Sequence, residues 1–136
     1  MNIDAKNLVT VVVVIIVCVI AIVIMNQAPS LDGSYKLYTL NGREVPSNAR
    51  LTITIEGDKG IVEEHSKDSF TLKKTEIKEK GNVVYEMYIP TMYQPLKLPT
   101  LYLQDKILTV SLTDSHVLTF KKVSNKQLTQ DEIYKI

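Results

Sequence analysis

The chain has 136 residues and only one cysteine, Cys18, so it can form no intrachain disulfide. It has almost no net charge: the formal value is +1. With Asp4 and Lys6 set aside, residues 31–136 hold 15 basic and 14 acidic side chains, which leaves no broad electrostatic footprint for nucleic acid. Only two histidines are present. No internal repeat occurs, and the only low-complexity tract is one run of Val and Ile. There is no phosphate-binding glycine loop, zinc-protease helix or nucleophile elbow. No stretch between apolar segments is long and amphipathic enough for a crossover helix, which argues against a parallel sheet. Length allows one ordinary domain and a short appendage.

What the chain does have is concentrated at its start. From Asn7 to Leu31 no side chain is charged, and Leu8–Met25 is apolar apart from Thr10 and Cys18. Val and Ile favour strands. A strand of eighteen residues would nevertheless lie far outside the usual range of about 3–10. As a helix the run would reach about 27 Å, close to the roughly 30 Å hydrocarbon core. An isolated span can satisfy its backbone in lipid only as a helix, and this outweighs a few tenths of a kcal/mol per residue of propensity. The expectation is a single-pass signal-anchor, with Leu8, Val14, Cys18 and Met25 facing lipid. A cleaved signal peptide is the main rival, and a buried core helix the other. Signal peptides usually have an apolar region of about 7–15 residues and a small-x-small exit. Here the exit is Met25-Asn26-Gln27-Ala28-Pro29. Palmitoylation of Cys18 is a minor alternative to a plain lipid-facing role. A slight positive excess at the N-terminus favours that end in the cytoplasm.

Ala28-Pro29-Ser30 breaks the helix, and period-2 patterns take over. Strands are expected at Ser34–Leu40, Arg50–Glu56, Ile61–His65, Phe70–Lys78, Val83–Ile89, Thr100–Gln104, Ile107–Thr113 and Val117–Lys122. Asn41-Gly42, Gly57-Asp58-Lys59-Gly60, Glu79-Lys80-Gly81-Asn82, Asp105-Lys106 and Asp114-Ser115-His116 supply the turns. About eight short strands at this spacing imply an all-β, antiparallel barrel or sandwich over residues 31–136, behind an anchor and linker at 1–30. Thr129-Gln130-Asp131-Glu132 fits a capping box for one short C-terminal helix. The expected core is Leu37, Leu51, Ile53, Ile55, Phe70, Leu72, Val83, Tyr85, Met87, Ile89, Leu101, Leu103, Leu108, Val110, Leu112, Leu118 and Phe120.

Leu31-Asp32-Gly33-Ser34-Tyr35, followed by Leu37 and then Leu40-Asn41-Gly42, resembles the opening of the META domain. That family is a small, lipocalin-like β fold of bacterial envelope proteins, opening on Leu-x-Gly-x-Trp and an apolar-Asn-Gly turn. Val45-Pro46, Leu51-Thr52-Ile53 and Leu118-Thr119-Phe120 also fit. Tyr35 replaces the tryptophan, and the family's Gly-Cys-Asn is missing; Gly60-Ile61-Val62-Glu63 stands near its place. The resemblance implies a non-catalytic envelope domain and carries over no active-site residue.

Candidate chemistry is sparse, and no catalytic, cofactor or metal site is expected. Glu63 and His65 would share a strand face, but two ligands do not make a metal site. Asp114-Ser115-His116 has the letters of a triad, yet triads draw on separate segments. Lys73, Lys74, Lys78 and Lys80, offset by Glu76 and Glu79, read as a charged strand that resists edge pairing; contact with anionic headgroups is the alternative. The proline-rich stretch Ile89–Pro99 is the candidate partner patch, through Met92, Tyr93, Leu96 and Leu98, unless these side chains plug the barrel. Two functions compete. One is a non-enzymatic structural or interaction module held at a bilayer, in a bacterial envelope or a membrane-containing virion, with another protein as partner. The other is a lipocalin-like carrier of a small apolar ligand.

Overall fold

The computed structural model describes residues 10–18, 30–46, 48–90 and 97–136. Residues 10–18 are helical, with exposed side chains. The rest of the expected span, including Leu8 and Met25, lies outside the described residues; among the described residues no helix is long and apolar enough to cross a membrane.

The domain consists of strands β1 (Gly33–Leu40), β2 (Arg43–Glu44), β3 (Thr52–Glu56), β4 (Lys59–Glu63), β5 (Lys67–Glu79), β6 (Asn82–Tyr88), β7 (Thr100–Gln104), β8 (Ile107–Thr113) and β9 (His116–Ser124), then a helix, Gln130–Tyr134. All pairings are antiparallel. Each strand from β3 onward pairs with the next, and β9 returns to β1 through Phe120–Leu37 and Lys122–Tyr35. That last ladder closes eight strands into an up-and-down barrel and settles the choice between barrel and sandwich. Closure removes the free edges from the body of the sheet; β5 alone runs on past its β4 partner, beyond Thr71. The two-residue β2 is a hairpin partner to the end of β1.

Tyr35, Ile53, Ile55, Phe70, Leu72, Met87, Leu101, Leu103, Leu108, Val110 and Phe120 fill the interior, with Leu31 beneath them. Alternation puts these residues inside, as period 2 requires. Leu37, Leu51, Tyr85, Ile89 and Leu118 are half-buried against this core. Two expected core positions differ. Leu112 is 38% exposed near the rim. Val83 is only half-buried, while Val84 is buried outside the main cluster. A bulge explains the local irregularity: Lys74 pairs with Tyr85 but Lys78 with Val83, so β5 carries two extra residues. Thr75 pins the bulge, donating its hydroxyl to the Val84 carbonyl at 2.7 Å and accepting from Ile77 N at 3.1 Å.

The turn after β3 is tighter than expected, with Lys59 and Gly60 already in β4. A β carbon on Gly60 would lie within 2.8 Å of Phe70 Cε1 and Cε2, and closer still to Cζ. Glycine therefore makes room for the largest ring in that layer. Past Ser124 the chain straps the outside of the barrel. Ser34 Oγ donates to Lys126 O and accepts from Leu128 N; Gln127 Nε2 donates to Ile55 O, and Gln130 Nε2 to Glu63 O. The expected capping box forms between Thr129 and Glu132. Ile133 is fully buried, and Tyr134 Oη donates to Ala49 O while accepting from Leu51 N.

Candidate functional site

An up-and-down barrel has two unlike ends, and strand directions assign each feature to one of them. The chain enters the domain at Ser30, beside the turns Gly57-Asp58, Lys80-Gly81 and Asp105-Lys106 and the end of β9. The opposite end carries Asn41-Gly42, the bend at residues 64–66, the connection from β6 to β7 and the turn Asp114-Ser115.

At the entry end each residue of Leu31–Tyr35 has a physical role. Leu31 is buried under the core. Asp32 Oδ1 accepts from Gly57 N at 2.8 Å, tying the entering chain to the β3–β4 turn. Gly33 has φ +144°, and a β carbon there would press within 2.7 Å of Lys122 Cε and closer to the Ser124 carbonyl. Ser34 holds the C-terminal strap. Tyr35, fully buried, donates its hydroxyl to Leu31 O at 2.6 Å. Burial, reinforced by the Asp32 charge, raises the Tyr35 phenol well above its ordinary value. Lys122 closes this end: its Nζ donates to Ser30 O at 3.2 Å and lies 5.9 Å from the Tyr35 ring centroid. Burial lowers its amine and Lys106 adds to the shift, against the opposing pull of Asp32. A cavity of about 630 Å³ opens here between Asp32, Leu103, Lys106, Lys122 and Asn125.

The far end is the more apolar one. Leu40 and Leu112 are exposed at 44% and 38%. Leu37, Leu51, Ile89, Leu98 and Leu118 are half-buried around the same mouth. Of the candidate partner patch, Leu98 is half-buried, while Met92, Tyr93 and Leu96 lie outside the described residues. Lys97 Nζ is 3.6 Å from the Asp114 carboxylate, and a cavity of about 240 Å³ lies beside them against Leu112.

The histidines take positions that differ from a regular strand reading. β4 ends at Glu63, so His65 sits in a bend, 3.9 Å from Glu64 and almost fully exposed. Strand alternation therefore does not align it with Glu63. Among the described residues no group of three or more His, Cys, Asp or Glu side chains is placed to hold a metal ion. At the β8–β9 turn, His116 Nδ1 lies 3.1 Å from Ser115 Oγ and 2.9 Å from Thr113 Oγ1. Neighbours in the turn thus do meet, but Asp114 faces Lys97 rather than the imidazole, and the cluster is exposed. It has the geometry of a turn stabilised by its own side chains, not of a nucleophile, base and orienting acid.

A groove of about 680 Å³ lies on the outer wall, where Thr54, Ile61, Ser69 and Thr71 face the strap residues Gln127 and Leu128. Sequence reading did not find it, because it depends on where the C-terminal segment crosses the sheet. No family model matches this chain, and neither the curated proteins nor the solved structures give a match.

Proposed function

We propose that this chain is a non-enzymatic, single-pass membrane protein that presents a small β barrel close to a bilayer as a structural or interaction module. The observation that carries the reading is the uncharged apolar run Leu8–Met25, long enough as a helix for a hydrocarbon core. Five residues take the chain from Met25 to Ser30, a reach of at most about 18 Å. The entry end of the barrel would then face lipid, and the apolar rim around Leu40, Leu98 and Leu112 would face away, toward a partner protein. Such tethering raises the local concentration of the barrel at the membrane and restricts its orientation. A bacterial envelope is the setting suggested by the META-type opening, and the slight positive excess at the N-terminus favours that end in the cytoplasm; a membrane-containing virion would use the same arrangement.

The alternative is a lipocalin-like carrier of a small apolar ligand. Against it stands the interior, where Tyr35, Phe70, Leu101, Leu108 and Phe120 are each at most 1% exposed. Side chains of this size occupy the space a ligand would need.

The test is flotation and alkaline extraction of full-length protein from a membrane fraction, with mass spectrometry of the mature N-terminus. Residues 1–25 retained in a chain that resists extraction supports the anchor. Mature chains beginning near Pro29, or full-length chain left in the aqueous supernatant, overturn it. Crosslinking from Leu112 in native membranes should recover a protein neighbour. Recovery of an apolar small molecule from the purified barrel would favour the carrier.

A further inference from the structure

We propose that the β5–β6 hairpin is a second membrane contact, laid against anionic lipid headgroups with Ile77 as its apolar wedge. The proposal rests on the anchor reading and adds a surface to it. β5 is the longest strand, with 13 residues, but its ladder to β4 ends at the Lys59–Thr71 pair. From Lys73 to Glu79 the strand has no ladder partner on the β4 side among the described residues; on the other side Lys73, Lys74, Lys78 and Glu79 pair with β6, and residues 75–77 form the bulge. Beyond Thr71 the hairpin runs for six residue steps of β6, from Tyr88 to Asn82, roughly 20 Å, because the bulge takes up two residues of β5. The hairpin therefore extends past the β3–β4 turn, at the end of the barrel where the chain enters.

Two features of this extension need different explanations. Residues 73–80 carry four lysines and two glutamates, a net charge of +2. Charge on a free edge is enough to discourage strand pairing between molecules. It does not account for Ile77. At 64% exposed, Ile77 is the most exposed large hydrophobic side chain on any strand described here. The Thr75 bulge sets its backbone, with Ile77 N bonded to Thr75 Oγ1. A β-branched aliphatic on an unpaired edge is a liability in water. On a hairpin tip that also carries four lysines it can serve as an anchor at a bilayer, the lysines meeting anionic headgroups and the aliphatic group entering the interface.

The position of the hairpin selects the lipid surface as the occupant. Ser30 and the Lys80-Gly81 turn are at the same end of the barrel. The reach from Met25 to Ser30 is at most about 18 Å, so a bilayer holding the apolar run lies within range of that turn. The tether restricts the orientation of the barrel, and the hairpin as a second contact narrows it further.

The test uses full-length protein in which Cys18→Ser is combined with Ile77→Cys, labelled with an environment-sensitive fluorophore. The labelled chain is reconstituted into vesicles of phosphatidylcholine alone or of equal parts phosphatidylcholine and phosphatidylglycerol, with and without headgroup-labelled quencher lipid. A Ser115→Cys label at the far end is the reference. The expected result is a blue shift and at least twofold stronger quenching at position 77 than at 115 in anionic vesicles, weakened by salt. Adding Lys78→Glu and Lys80→Glu should reduce that quenching by at least half. A chain that floats with the vesicles while its probe at 77 behaves like the one at 115 overturns this proposal and leaves the anchor standing. A chain that does not float overturns both. Protection of position 77 that rises with protein density and is the same in the two lipid mixtures points to pairing between copies, and also overturns it.

Discussion

Adding one methyl group to Gly60 should destabilise this barrel about as much as removing a buried hydrogen bond. Gly60 has ordinary extended backbone, so the backbone by itself would welcome alanine, which gains about 0.5–1 kcal/mol over glycine inside a strand. The opposing effect is steric. Gly60 pairs with Ile55 on one side and Phe70 on the other, and its α carbon lies under the Phe70 ring. A β carbon would come within 2.8 Å of two ring carbons and closer to a third. Phe70 is 1% exposed and packed against the rest of the core, so displacing its ring disturbs its core neighbours. Overpacking of this kind costs about 1–3 kcal/mol, and more where a ring cannot move. The steric cost exceeds the backbone gain, and Gly60→Ala should lower stability by about 1–2 kcal/mol. For a domain of this size each kcal/mol corresponds to roughly 4–8 °C in Tm. The assay is urea and thermal unfolding of the full chain in mild detergent, followed by circular dichroism and tyrosine fluorescence. Phe70→Leu alone should also destabilise. The double variant should lose less than the sum of the two, with a coupling of about 1–2 kcal/mol, because the smaller side chain admits the new methyl. Gly60→Ala more stable than the parent, or strict additivity with Phe70→Leu, would refute the packing argument.

Other consequences follow from the same residues. Tyr35→Phe removes the hydroxyl bonded to Leu31 O and should cost about 1–2 kcal/mol near neutral pH, measured by urea unfolding. The parent should also lose stability as pH rises above the ordinary tyrosine value near 10, because the unfolded chain releases the Tyr35 proton there and the folded chain holds it; Tyr35→Phe should show a shallower alkaline slope, and an equal slope would contradict the burial argument. Thr129→Ala removes the helix cap and should cost about 1 kcal/mol locally, while Tyr134→Phe frees Leu51 N and Ala49 O; in both variants hydrogen exchange should rise over residues 125–135 before the barrel strands respond. Val14→Arg together with Cys18→Arg should move full-length protein from the membrane fraction to the supernatant, since each arginine near the centre of a span costs about 2.5–3.5 kcal/mol; retention in the membrane would mean the apolar run is not what holds the chain there.

The sequence by itself determined the strand rhythm, the turn sites and the helix cap, because these are local. Alternation decides which side chains share a face, Asn41-Gly42 takes positive φ at both positions, and Thr129 reaches Glu132 within one turn. Seven strands fall where alternation put them, give or take a few residues at their ends; β5 begins three residues before the expected Phe70. The apolar run was legible for the same reason, as a property of consecutive residues. Tertiary structure decided the rest. Closure of β9 onto β1 joins residues 78 to 90 positions apart, and no local pattern distinguishes a closing strand from a sandwich edge. Tyr35 has the same alternation phase as Leu37, but its burial and its bond back to Leu31 exist only once the entry end is shut. Two extra residues in β5 altered the local packing around Val83 and Val84, and the outer groove required the strap to cross the wall. Less of the candidate site was legible: of the expected partner patch only Leu98 is among the described residues, the outer groove was not foreseen, and which end of the barrel a residue occupies depends on strand direction around a closed ring, a property of the whole chain rather than of any segment.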